Sequence, residues 1–304
     1  MRIRELLISD GLSLTPSEQK IVRLLLTDYP TSGLGTASRL AKRAAVSDPT
    51  VVRLVAKLGF EGFAEFQAQL LAEVEERVHS PLQMMDAKRQ KEPSGLALRY
   101  LVSVEGVLHQ SQSLTPASSY ERAARLIVEA KGSVVVLGGR FSRYAAGMLA
   151  EHLHQMRPRV RDIGELSASA FDTLTDLGQK DVLVVFDYRR YQRDVTSYAR
   201  QAAQQDVRLI LFTDQWLSPI SELAEVAIVS RLDVESPFDT LAPAIAQMEV
   251  VVANILAISG DEPLARMQRV ERIRTTNRIT VDGSDSREDD IPQGKAKRRP
   301  GIKK

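Results

Sequence analysis

The sequence has 304 residues, no cysteine and a formal net charge of +2 at pH 7. With 43% hydrophobic and 26% charged residues, it has the composition of an ordinary globular protein and is long enough for two domains. The lack of cysteine excludes disulfides, thiolate metal sites and cysteine nucleophiles. The N-terminus is charged and the apolar runs are only strand-length, so we expect neither export nor membrane insertion, and a cytoplasmic protein.

Residues 1–80 are predicted to be helical throughout, because apolar residues recur at spacings of three and four. The tetrapeptide Thr15-Pro16-Ser17-Glu18 marks the start of one helix. The Thr15 hydroxyl can accept a hydrogen bond from a backbone N–H in the first turn, and Glu18 can bond back to the chain before it. Pro16 has no N–H to leave unpaired, so the tetrapeptide predicts a capped helix start.

Residues 37–55 fit two helices joined by a tight turn. Ala45 stands in the turn, where glycine is commoner because the backbone is cramped. Ser47 is expected to cap the second helix, and Pro49 lies in its first turn. Small or apolar residues stand where the two helices must pack, namely Leu40, Ala41, Ala44, Val46, Val51 and Leu54. The segment therefore predicts a helix-turn-helix, whose second helix enters the major groove of DNA.

The surface of this helix pair is basic. Residues 36–57 contain five cations and one anion, a local net charge of +4 that suits nucleic-acid phosphates. We expect Arg53 to bind a guanine through two hydrogen bonds, and Lys42, Arg43 and Lys57 to contact the DNA backbone. The predicted DNA-contacting residues are Lys42, Arg43, Ser47, Asp48, Thr50, Arg53 and Lys57. A helical hairpin with solvated charges and a protein-binding module are the alternatives.

From residue 118 the pattern changes to short Val, Ile and Leu runs that alternate with helical segments. The predicted strands are Ser133–Leu137, Val182–Phe186, Arg208–Thr213 and Val226–Ser230. Such continuous apolar strands are buried on both faces, so residues 118–263 predict an α/β three-layer sandwich with a parallel sheet. We expect residues 81–117 to form a linker and connecting helix, and 264–304 a basic, disordered tail.

Two loops after the predicted strands contain candidate anion-binding groups. Gly138-Gly139 leads into a helix, whose first backbone N–H groups can bind an anion. The loop after the next strand, residues 187–192, has no Ser or Thr but contains two arginines that bind carboxylates or phosphates bidentately. The predicted ligand-binding residues are Gly138, Gly139, Arg140, Ser142, Arg189 and Arg190. The alternative is that the arginines lie at the surface or in a subunit interface.

Four sequence blocks resemble the N-terminal domain of the RpiR/MurR family of bacterial regulators. They are residues 14–21, Leu40-Ala41 with Val46-Ser47, residues 50–53 and residues 57–63. Residues 118–263 resemble the family's sugar isomerase (SIS) domain, and Glu235–Asp239 resembles a stretch that borders its ligand site. The resemblance implies a regulator that binds double-stranded DNA as a homodimer or larger homo-oligomer and is modulated by a small anionic effector, a sugar phosphate or another carbohydrate-derived acid.

The sequence departs from the family pattern in both loops. Arg140 and Arg143 stand where the family usually has glycine, and the usual Ser/Thr-rich phosphate loop is replaced by residues 187–192. These departures indicate that the effector need not be a sugar phosphate.

The sequence shows no pattern typical of a catalytic or metal site. His152 and His154 are predicted to lie on different faces of a helix, so no metal ligand set forms, and we expect no cofactor. Carboxylates such as Glu151 and Glu165 have no recognisable acid–base partner. We therefore expect a protein that is not an enzyme. The alternative is a sugar-phosphate isomerase-type enzyme with an accessory helical domain, against which the substituted loops argue.

Overall fold

The computed structural model describes residues 3–8, 12–27, 29–78, 84–85 and 94–279. Its N-terminal part is helical, as the spacing of apolar residues predicts. The helices are α1 (Ile3–Leu7), α2 (Pro16–Thr27), α3 (Ala37–Ala44), α4 (Asp48–Lys57) and α5 (Phe63–Val78).

The predicted capping box at the start of α2 is confirmed. The backbone N–H of Thr15 donates to Oε2 of Glu18 at 2.8 Å, and the N–H of Glu18 donates to the Thr15 hydroxyl at 3.3 Å. Pro16 is the first helical residue. Two backbone donors at the start of α2 are thus satisfied by the pair of side chains.

The turn between α3 and α4 has the geometry expected of a helix-turn-helix. Ala45 has φ 52° and ψ 51°, in the left-handed region that favours glycine. The expectation that the Ser47 side chain caps α4 is wrong. Ser47 is at the N-cap position, but its hydroxyl lies 2.9 Å from the Thr50 hydroxyl, and it accepts no capping bond from the backbone.

The C-terminal part contains a five-stranded sheet surrounded by helices. The helices are α6 (Leu96–Gln112), α7 (Ala117–Glu129), α8 (Arg143–Met156), α9 (Ala168–Asp172), α10 (Arg193–Gln204), α11 (Ala242–Ile258) and α12 (Asp261–Thr276). The strands are β1 (Val134–Gly138), β2 (Val160–Asp162), β3 (Val182–Phe186), β4 (Arg208–Asp214) and β5 (Val226–Ser230). Neighbouring strands run parallel in the order β2-β1-β3-β4-β5.

Helices cover both faces of this sheet, which confirms the three-layer sandwich. Val134 and Val136 pack in one cluster with residues of α7, α8 and α11. Val135 and Leu137 alternate with them and pack in a second cluster with residues of α10. All four side chains are fully buried, because successive residues of a strand point to opposite faces.

Four of the five strands lie where the sequence predicted them, with end shifts of one residue in β1 and β4. The sequence prediction missed β2, a three-residue edge strand in which Arg161 and Asp162 follow Val160. The expected disorder of residues 264–304 is wrong for 264–276, which belong to α12. Residues 280–304, which contain the C-terminal part of the predicted basic tail, lie outside the described residues.

The predicted connecting helix is α6, and it packs on the α/β domain. The Ser111 hydroxyl on α6 accepts from the backbone N–H of Arg231 at 2.8 Å, just after β5. Arg99 at the start of α6 pairs with Glu235 at 3.2 Å. In the described part of the chain, no single helix is long and apolar enough to cross a membrane; α11 and α12 pass that test only together, as a pair bent by 111°.

Candidate functional site

A cleft of about 810 Å³ lies at the carboxyl ends of β1 and β3. The chain leaves β1 toward β2 on one side and returns as β3 on the other, so the strand order reverses here. Crevices in open parallel sheets form at such switch points, since the loops after the two strands diverge. The loops after β1 and β3 and the segment after β5 line the cleft.

Five of the six predicted ligand-binding residues line this cleft. They are Gly139, Arg140, Ser142, Arg189 and Arg190. Gly138 is the sixth, and it lines a smaller adjoining cleft of about 70 Å³. From the Glu235–Asp239 stretch, Pro237, Phe238 and Asp239 also face the main cleft.

Close packing fixes the first loop. A Cβ on Gly138 would lie 2.6 Å from the Cα of Arg143, so only glycine fits between β1 and α8. The Ser142 hydroxyl donates to the carbonyl oxygen of Phe186 at 2.6 Å and accepts from the N–H of Gly139 at 2.8 Å. Ser142 therefore holds the loops after β1 and β3 together, and its hydroxyl already has two internal partners.

A buried carboxylate organises the second loop. Asp187 is 2% exposed and accepts a hydrogen bond from the Ser218 hydroxyl. Burial raises the pKa of Asp187 to about 7, although the hydrogen bond from Ser218 favours its charged form. The loop therefore contains a carboxyl group that titrates near neutral pH.

The two arginines of the second loop have different surroundings. The Arg189 guanidinium donates from Nε to Oδ2 of Asp239 at 2.7 Å and from Nη2 to Oδ1 of the same carboxylate. Only 6% of the Arg189 side chain is exposed. Arg190 is exposed, as is Arg140 in the first loop. Arg190 and Arg140 are thus the cations that an entering ligand meets first.

The proposed recognition helix α4 presents part of the predicted DNA-contacting set. Arg53 and Asp48 are exposed on α4, Ser47 is exposed at its N-cap position, and Lys42 and Arg43 are exposed on α3. Arg43 also donates to the carbonyl oxygen of Ser32 at 3.3 Å, which fixes its side chain beside the helix pair.

Two members of the predicted DNA-contacting set have internal roles. Thr50 was expected on the exposed face, but it is only 7% exposed, and its hydroxyl accepts from Arg53 at 3.3 Å. The Lys57 ammonium donates to Oε2 of Glu18 at 2.7 Å and to the carbonyl oxygen of Ser13 at 2.9 Å. Lys57 thus ties α4 to the start of α2 through groups distant in sequence.

Asp214, at the end of β4, connects the cleft to the helical domain. Its carboxylate accepts from the Tyr191 hydroxyl at 2.7 Å, from the Trp216 N–H at 2.9 Å and from the Arg189 N–H. Trp216 is 2% exposed and packs in the apolar core of the N-terminal helices, with Tyr191 at the edge of that core. One carboxylate therefore joins the loop that lines the cleft to the loop that contacts the helical domain.

Sequence reasoning missed Asp214, Trp216 and Gln192. The oxygen Oε1 of Gln192 accepts from the N–H of Arg140, which links the two cleft loops. A usable indication was present for Trp216, because it is the one tryptophan in the sequence and lies just after a predicted strand. Large aromatic residues in loops commonly anchor contacts between elements.

Two family models match the chain. The model of the rpiR-family helix-turn-helix domain matches residues 1–77, and the SIS domain model matches residues 126–259. Among curated proteins, an uncharacterized HTH-type transcriptional regulator of Haemophilus influenzae is 22% identical over 260 residues, covering 83% of this chain and 88% of its own. The HTH-type transcriptional regulator RpiR of Escherichia coli is 24% identical over 265 residues, covering 80% of this chain and 85% of its own.

Two solved structures share the fold. The sugar isomerase domain of an RpiR transcription factor from Sphaerobacter thermophilus has a TM-score of 0.55 at 24% identity, covering 58% of this chain and 98% of that one. The Vibrio vulnificus NanR protein, complexed with ManNAc-6P, has a TM-score of 0.50 at 18% identity, covering 92% and 99%. The two family models together match more than half of the chain, and the curated relatives are named as regulators rather than enzymes. This chain therefore belongs to the RpiR family of transcriptional regulators, in which a helix-turn-helix domain is joined to a SIS domain.

Proposed function

We propose that this regulator binds operator DNA through α3 and α4 as a homodimer or larger homo-oligomer, and that a small anionic metabolite in the cleft modulates its DNA affinity. Both DNA and small anionic metabolites are present in a bacterial cytoplasm, where we propose that the protein acts. The observation that best supports the proposal is the Asp214 connection between the cleft loop and Trp216 in the helical core. An effector changes DNA affinity only through differential binding to two conformations, and this connection gives the cleft a physical contact with the helical domain.

The charge distribution supports DNA as the partner of the helical domain. Exposed Lys42, Arg43 and Arg53 lie on the two helices of the motif, while Lys57 secures α4 to α2. In such motifs the N-terminal part of the second helix meets base edges, and neighbouring cations meet phosphates.

The cleft supports a small anion as the effector. Its lining includes Arg140 and Arg190, and its volume suits a metabolite. The Vibrio vulnificus NanR protein is complexed with ManNAc-6P, a small anionic metabolite, which adds support for a small anionic effector. Mapping of bound genomic DNA locates the operator relative to the promoter. That position distinguishes repression from activation.

Replacing Arg53 by alanine is expected to weaken binding to the selected operator by about 1 to 3 kcal/mol and to relax specificity at one base position, because a bidentate contact to guanine is lost. Fluorescence anisotropy on the operator and on random duplex measures both effects. Arg23→Ala, which removes an exposed arginine of α2, is the matched control and should change neither affinity. Equal losses on operator and random DNA would exclude a base-reading role for Arg53.

The protein is expected to be at least dimeric at micromolar concentration. Two helix-turn-helix domains related by two-fold symmetry gain specificity from two half-sites spaced by whole turns of DNA. Sedimentation equilibrium measures the mass directly. A monomer that still binds the operator with full affinity would contradict the proposed recognition by two helix-turn-helix domains.

A further inference from the structure

Two backbone N–H groups of the loop after β1 already have partners within the protein. Gly139 donates to the Ser142 hydroxyl at 2.8 Å, and Arg140 donates to Oε1 of Gln192. A dianionic phosphate needs several such donors, and each of these would first have to break an internal hydrogen bond.

Carboxylates of the protein also face the cleft. Asp187 and Asp239 both line it, and Asp239 neutralises the guanidinium of Arg189. A phosphate monoester has nearly two negative charges at neutral pH, whereas a carboxylate has one. Repulsion by a fixed carboxylate scales with the ligand charge, so Asp187 opposes a dianion more strongly than a monoanion.

Two cations remain for the ligand. Arg140 and Arg190 are exposed, line the cleft, and form no ion pair with a carboxylate among the described residues. A guanidinium has a rigid, planar set of donors that matches a carboxylate through two parallel hydrogen bonds.

The rest of the lining is apolar and partly aromatic. The Phe141 side chain is 63% exposed and Phe238 is 58% exposed, although both are large apolar groups. Leu232 and Pro237 complete this wall, and the guanidinium of Arg140 lies 5.6 Å from the centre of the Phe141 ring. Exposed aromatic rings beside a cation favour a ligand with a flat apolar portion next to its charge.

We propose that the effector is a non-phosphorylated carboxylic acid with a flat apolar portion, whose carboxylate binds Arg140 and Arg190 while its body packs against Phe141 and Phe238. This inference rests on the proposed function and specifies its ligand class. The three probes that test it share one ring: benzoate is a monoanion, phenyl phosphate is a dianion and benzyl alcohol is neutral.

The full-length protein is titrated with each probe by saturation-transfer NMR at about pH 8, where Asp187 is mostly ionised because its pKa is about 7. Benzoate is expected to bind at least about tenfold more tightly than phenyl phosphate or benzyl alcohol. Arg140→Gln and Arg190→Gln should each weaken benzoate binding by about tenfold, the usual effect of losing one charge-assisted contact. Arg193→Gln, an exposed arginine at the start of α10, is the matched control and should leave binding unchanged. Asp187→Asn should improve the binding of phenyl phosphate more than that of benzoate, because it removes a fixed negative charge.

Tighter binding of phenyl phosphate than of benzoate by the wild-type protein would overturn the proposal. Benzoate binding that both arginine variants retain, or no benzoate binding at about 10 mM, would also overturn it. Anisotropy with operator DNA on the same preparations separates this failure from failure of the proposed function. A protein that binds its operator but not benzoate refutes only the ligand class, whereas a protein without DNA affinity refutes the proposed function.

Discussion

Asp214→Ala is expected to lower the free energy of unfolding by about 3 to 5 kcal/mol. The Asp214 carboxylate is 1% exposed and accepts hydrogen bonds from the Tyr191 hydroxyl and from the backbone N–H groups of Arg189 and Trp216. Alanine leaves these three donors in a region that water does not reach, and each unpaired buried donor costs about 1 to 3 kcal/mol. Urea denaturation followed by circular dichroism measures the loss.

Two further variants test whether the loss of stability comes from the three hydrogen bonds of the Asp214 carboxylate. Glu249→Ala removes an exposed carboxylate from α11 and should change the free energy of unfolding by less than about 0.5 kcal/mol. Asp214→Asn retains one acceptor oxygen and should fall between the wild type and Asp214→Ala. A loss below about 1 kcal/mol for Asp214→Ala would show that the three donors find other partners.

The same variant reports on the contact between the two domains. Trp216 is the one tryptophan of the sequence and is buried in the helical core, so its fluorescence monitors that contact alone. If Asp214 holds the Trp216 loop in place, Asp214→Ala in native buffer shifts the emission to longer wavelength as water reaches the indole. The shift is then expected in a protein whose α/β domain remains folded.

The sequence predicted the sheet because its central strands are unbroken apolar runs. Residues 182–186 could be assigned to a strand with correct ends, since burial on both faces requires apolar side chains throughout. The edge strand β2 follows no such rule. Among the described strands it pairs only with β1, and Arg161 is half-buried while Asp162 is exposed. Nothing in its composition therefore distinguishes it from a turn.

The position of the cleft was also predictable from the sequence, but the ion-pair partners of the side chains were not. Strand ends and a glycine turn place Gly139 and Arg140 at the edge of a parallel sheet by topology alone. The pairing of Arg189 with Asp239 joins residues 50 positions apart, and that of Lys57 with Glu18 joins residues 39 apart. Such partners depend on how loops and helices pack in three dimensions, which local spacing does not specify.

Burial also gives Asp187 a predictable effect on stability. Its pKa is about 7 in the folded protein and about 3.9 in an unfolded chain, so between these values the native state binds more protons. Stability therefore falls as pH rises through this window, and the whole contribution is lost above about pH 7. The change is at most about 1.4 kcal/mol for each pH unit, the free energy that corresponds to one pKa unit.

Asp187→Asn is accordingly expected to gain about 2 to 3 kcal/mol in the free energy of unfolding relative to the wild type between about pH 5 and pH 8. Asparagine has no charge to bury, and its carbonyl oxygen can still accept from the Ser218 hydroxyl. Burial also raises the pKa of Asp214, but both proteins contain that group, so its contribution largely cancels in the difference. Urea denaturation of both proteins at a series of pH values measures the two curves. Parallel curves over this window would show that Asp187 does not titrate differently in the folded and unfolded protein, whereas a growing difference identifies its carboxyl as the group that takes up the proton.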